Sequence, residues 1–155
     1  MKKYFYLFTL LVLFSFNVEA IAEESPIITM KTHIYENVGP GNACSISLMA
    51  KEETVVEVDF GFGREEYVLT PEFTPGEDEE EHIGTFIAGE VSDAGVITVY
   101  GDASKIDYFN ASGIYMYELE MSTLTNLEYL IISHNELTRL DLTEFTKLQF
   151  VNLAD

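Results

Sequence analysis

Leu127-Glu128-Tyr129-Leu130-Ile131-Ile132-Ser133-His134-Asn135-Glu136-Leu137-Thr138-Arg139-Leu140-Asp141-Leu142 is the stretch on which the architecture turns. Leu130 and Ile132 alternate with Tyr129, Ile131 and Ser133, the period of a strand with one buried face. Asn135 follows where the chain must turn, and its side chain can bond backbone groups there. Leu137 to Leu142 then alternates again, as a second strand would.

Shifting the chain by 21 residues repeats this pattern. Ile106, Leu127 and Leu148 coincide, as do Phe109, Leu130 and Val151, and Ala111, Ile132 and Leu153. Met116 matches Leu137, Leu119 matches Leu140, Met121 matches Leu142 and Leu124 matches Phe145. A fixed period in the twenties predicts a solenoid, in which each row buries its apolar face against the next. Rows therefore begin at residues 106, 127 and 148.

The spacing Leu127-x-x-Leu130-x-Ile132-x-x-Asn135-x-Leu137 resembles the leucine-rich-repeat signature. With Leu-Thr-x-Leu-Asp-Leu after the Asn, this 21-residue form is similar to the bacterial repeats of internalin-J-like surface proteins, especially those exported by Bacteroidetes. The resemblance implies short parallel strands, a ladder through Asn135, and a noncatalytic adhesion or recognition role at a cell surface. Val99-Tyr100-Gly101-Asp102 sits where such proteins pass from a β-domain into the first repeat, and Asp59-Phe60-Gly61-Phe62-Gly63 is similar to a turn of those domains. Departures are specific: Phe62 stands where that turn has an acid, and Ile114 stands where the first row needs Asn. The third row stops at Asp155, before its own Asn, so the array is expected to be the front part of a longer one.

Upstream the grammar changes. Ile27–His33, Ser45–Ala50, Thr54–Phe60, Glu65–Leu69, Thr85–Ala88 and Val96–Tyr100 are short runs of β-branched and aromatic residues bounded by Gly, Pro and acidic clusters. They predict an antiparallel β-sandwich-like domain over 23–104, followed by leucine-rich repeats over 105–155. The fold class is mainly β. Residues 1–22 carry Lys2 and Lys3, an apolar run from Tyr4 to Phe16 and small residues at Ala20 and Ala22, the three parts of a secretory signal peptide. At about 13 residues the run is short of the roughly 20 that span hydrocarbon, so export with cleavage is expected, and no transmembrane segment in the mature chain.

The full chain has 8 Lys plus Arg against 27 Asp plus Glu, a net charge of −19. Removing residues 1–22 leaves 6 basic and 26 acidic groups, net −20. Phosphate binding needs clustered cations, so nucleic acid is excluded as a partner. Cys44, the single cysteine, allows no internal disulfide and reads as a small buried hydrophobe.

Solvent-facing positions of the repeat strands are the candidate ligand contacts. They form columns on the concave face: Tyr108, Tyr129 and Phe150; Asn110, Ile131 and Asn152; Ser112, Ser133 and Ala154. Aromatic residues in register supply contact area at low entropic cost, which suits a protein ligand, or a polysaccharide stacked on the rings. The run Glu77-Asp78-Glu79-Glu80-Glu81 offers oxygen ligands to Ca²⁺ but lacks the spacing of a dedicated loop, and reads first as a solvated loop. His33, His82 and His134 share no metal spacing, Ser45 has no nucleophile-elbow glycines, and no phosphate-cradling glycine loop occurs. No enzyme, cofactor or dedicated metal is expected.

Overall fold

A computed structural model describes residues 24–34, 43–71, 74–75 and 82–154. Its strands in chain order are β1 (Ile28–Thr32), β2 (Ala43–Ala50), β3 (Thr54–Asp59), β4 (Arg64–Leu69), β5 (Thr74–Pro75), β6 (His82–Ile83), β7 (Thr85–Glu90), β8 (Val96–Gly101), β9 (Ile106–Asn110), β10 (Met116–Glu120), β11 (Tyr129–Ile131) and β12 (Phe150–Asn152). The chain is mainly β, and two five-stranded sheets carry it. The first has the order β10-β1-β8-β3-β4 and the second β12-β11-β9-β2-β7, while β5 and β6 pair only with each other. All six runs expected upstream of residue 104 lie on these strands.

Alternation explains the core. Along β1, Ile28, Met30 and Thr32 point inward, and along β3, Val56 and Val58 do so while Val55 is exposed. Ile46 and Leu48 of β2, Ile87 of β7, Ile97 and Val99 of β8 and Phe109 of β9 meet them between the sheets. At the β3–β4 turn, Asp59 Oδ1 accepts from the amides of Gly61 at 2.6 Å and Gly63 at 3.0 Å. Gly61 has φ +101°, and a Cβ there would stand 2.0 Å from Ser92 Oγ, so only glycine closes this turn. Phe62 at its tip is exposed, so the departure from the expected acid leaves no carboxylate there.

The boundary expected at residue 104/105 is not one in packing. β9, the first strand of the first row, pairs antiparallel with β2 in the second sheet, and β10, later in that row, pairs antiparallel with β1 in the first. Row 1 thus crosses from one sheet to the other. Leu124, Leu127, Leu130, Ile132 and Phe145 of the rows belong to the same buried cluster as Ile28 and Ile46. The halves are distinct in sequence grammar but share one core.

Beyond β9 the second sheet becomes parallel, with β9–β11 and β11–β12 in register at the 21-residue spacing. A second difference concerns Leu137–Leu142, which is irregular chain with a bend at Thr138 rather than a strand. Its counterpart β10 is a strand because β1 lies beside it, and among the described residues no strand pairs with 137–142. Leu137, Leu140 and Leu142 still pack, half-buried, against the core.

Candidate functional site

The outer face of the second sheet is where the candidate residues gather. Cross-strand register aligns Phe86, Ser47, Asn110, Ile131 and Asn152 from β7 to β12, and beside them Met49, Tyr108, Tyr129 and Phe150. Ser45 and Ala88 pair one step along β2 and β7. None of these side chains carries a charge, in a chain where 23% of residues do. Across five strands at about 4.8 Å spacing the face spans roughly 19 Å.

The expected columns exist, but their exposure is uneven. Phe150 is 47% exposed and Tyr129 half-buried, whereas Tyr108 is 1% exposed and is withdrawn as a direct contact. It sits on the middle strand, enclosed within its row between Met49 and Tyr129, and its hydroxyl accepts from Asn110 Nδ2 at 3.3 Å. Asn110 and Asn152 are only partly available too. Asn110 Oδ1 accepts from the Ser112 amide and hydroxyl, and Asn152 Oδ1 from the Ala154 amide at 3.1 Å, so each carboxamide oxygen closes the turn after its own strand. Ser133 Oγ donates to Ser112 Oγ at 3.1 Å, joining the third column across rows.

Asn135 is fully engaged in holding rows together. Its Nδ2 donates to Ala111 O at 2.8 Å in the preceding row and to Ile132 O at 3.0 Å in its own, and its Oδ1 accepts from the amides of Ile114 and Met116. Ile114, which stands where the first row lacks Asn, is buried and supplies its amide to this network instead.

One margin of the face is ionic. Lys51 pairs with Glu128, whose other oxygen accepts from Gln149 Nε2 at 2.8 Å. Beside them Asp107 occupies the bulge of β9, and its Oδ1 is buried without a hydrogen-bond partner. Burial pushes the Asp107 carboxyl above the usual range and Glu128 adds to this, while Lys51 opposes both.

Other candidate groups are placed elsewhere. Cys44 is buried and its thiol is pushed up to about 12 by desolvation, so it is not a thiolate nucleophile. His33 stacks on Tyr117 at 4.1 Å with Nδ1 3.0 Å from Glu136 Oε2, and His134 is exposed. Among the described residues no three His, Cys, Asp or Glu side chains gather to hold a metal. Residues 1–22, expected to be a signal peptide, and the acidic run Glu77, Asp78, Glu79, Glu80 and Glu81 lie outside the described residues. Among those residues no helix is long and apolar enough to cross a membrane.

Sequence reasoning confined the face to the repeats and missed Phe86, 65% exposed, with Ser45, Ser47 and Met49. The alternation Ser45-Ile46-Ser47-Leu48 marks Ser as outward, but nothing in the chain marks β2 as the neighbour of β9. No family model, curated protein or solved structure matches the chain.

Proposed function

We propose that this is an exported, noncatalytic recognition protein that holds a protein ligand on the outer face of the second sheet, in an adhesion role at a cell surface. The observation that carries this reading is that charge on that face, in so acidic a chain, is confined to its borders, at Glu90 on the end of β7 and at the Lys51–Glu128 margin. Partners approaching a strongly anionic protein meet repulsion at most of its surface, whereas here Phe86, Ile131, Tyr129 and Phe150 offer apolar and aromatic area. Cross-strand pairs that only stiffen a sheet account for Tyr108 but not for the exposure of Phe86 and Phe150.

The test uses the immobilised full chain as bait for proteins of its surroundings, beside the variant Ile131→Ser/Phe150→Ser. A true ligand is retained by the parent and lost by the variant, since a contact hot spot is worth about 2 kcal/mol, roughly 30-fold. Equal retention removes the face from recognition. A second reading, a polysaccharide ligand, is favoured by the hydroxyl and carboxamide groups of Ser47, Tyr129 and Asn152 among the aromatics. Retention of a neutral glycan in a glycan array, with no protein retained, selects it.

A further inference from the structure

Where β1 meets the first row, two costly backbone features turn aromatic rings toward solvent. Leu119 of β10 pairs with Met30 and packs against the core, and strict alternation would send Tyr117 inward after it. A β-bulge intervenes: Lys31 pairs with Glu118 and Thr32 with Met116, so Tyr117 is the extra residue. Met116 thereby returns to the core, fully buried, while Tyr117 stands out, 38% exposed. Two residues back, Tyr115 is left-handed at φ +54° and 39% exposed. Its backbone oxygen accepts from the His33 amide at 3.0 Å, and the His33 ring stacks on Tyr117.

The repeat does not require the second left-handed residue. Gly113 and His134 answer each other one row apart, whereas Glu136, the counterpart of Tyr115, is not left-handed. A bulge re-aims a side chain and a left-handed tyrosine costs stability, and such devices gather where a protein binds something. Glu136 joins the rings from row 2: its amide donates to Met116 O at 2.8 Å, and its Oε2 lies 3.0 Å from His33 Nδ1. Lys31, the neighbouring cation, is compensated by Glu118 at 2.8 Å, so Glu136 sets the local sign.

Ring faces beside a carboxylate suit a bulky cation that carries no hydrogen-bond donors, because the ring quadrupole attracts positive charge. A tyrosine face already takes a cation elsewhere in this chain, where Arg64 lies 3.5 Å over the Tyr100 ring. The field of a chain with net charge −19 concentrates cations at its surface and repels anions. We propose that Tyr115, Tyr117 and His33, with Glu136, form a site for a trimethylammonium group, separate from the outer face of the second sheet. Its methyl groups lie against the rings, and the charge spread over them meets the Glu136 carboxylate.

Choline and 3,3-dimethylbutanol share a shape and differ in charge, so the pair tests this. Each is titrated with the full chain at fixed ionic strength, and its methyl signal is followed by NMR. Choline should saturate and bind about tenfold more tightly than the alcohol. Tyr117→Phe keeps the ring face and should keep binding, whereas Tyr117→Leu should weaken it about tenfold. Tyr115→Gly separates ligand from fold: it removes a ring and relieves the left-handed strain, so binding should fall while the melting temperature rises. Co-sedimentation with phosphatidylcholine vesicles distinguishes the sources of the group. Capture makes a lipid headgroup the ligand, and choline binding without capture makes it a soluble molecule. No saturation by choline in the millimolar range, equal affinity for the alcohol, or choline binding untouched by Tyr115→Gly and Tyr117→Leu overturns the proposal. Displacement of choline by a neutral sugar overturns it too.

Discussion

Single residues carry more here than their size suggests. Asn135 satisfies backbone groups of two rows at once, and replacing it with Ala strands the Ile114 and Met116 amides in a part-buried place. Unsatisfied buried groups cost about 1–3 kcal/mol each, so Asn135→Ala should lower unfolding free energy by at least about 2 kcal/mol in urea titrations; Asn135→Leu should restore little. Asp107 acts in the opposite sense. Its carboxyl is raised, so its proton is held more tightly in the folded chain than in the unfolded one. Its contribution is therefore present below the ordinary carboxylate range and is lost as pH rises through the raised value. Asp107→Asn should raise the melting temperature at pH 7 and flatten that limb of the pH profile. Asp102 and Asp141 run the other way: hydrogen bonds from Ser104 and Thr143 hold them low, so their stabilisation is present at neutral pH and lost only in acid.

At the scale of elements, the turn between a row's two segments needs a left-handed residue. Row 1 uses Gly113 at φ +69° and row 2 uses His134 at φ +53°, one repeat later. A left-handed residue other than glycine costs about 1–2 kcal/mol, so His134→Gly should stabilise modestly in thermal melts, and His134→Val should destabilise. Much of the element plan is legible in the sequence. Alternation placed the six upstream strands and the 21-residue period placed β9, β11 and β12, because both patterns record which side chains are buried. Leu137–Leu142 carries the same alternation without being a strand, because a strand needs a neighbour that no local pattern supplies. The contact columns were legible as columns, but the burial of Tyr108 depends on Met49, 59 residues away in the chain.

For the whole molecule, the shared core makes the two halves one folding unit. Truncation after residue 104 removes β9 and β10, baring the edges of β2 and β1 and uncovering Leu48 and Met30. That fragment should lack a cooperative melt, whereas an independent sandwich would keep one. Cys44 reports on the same unit. Buried with its thiol pushed up to about 12, it should resist thiol reagents at pH 8 in the native chain and react freely in urea. Its rate of labelling against denaturant then measures global opening.

The pairing of β1 with β10 also sets a clock. Thr29 finds Glu120 only when nearly all of the chain between them exists, and Thr32 bonds Ile114 across 82 residues. A nascent chain of a hundred residues has neither sheet complete, since β2 still waits for β9. Folding must therefore lag behind synthesis and close long loops late, in the slow, milliseconds-to-seconds regime of non-local β topologies. A polypeptide that stays open until residues 106–120 have emerged can be threaded through a narrow passage before it acquires shape.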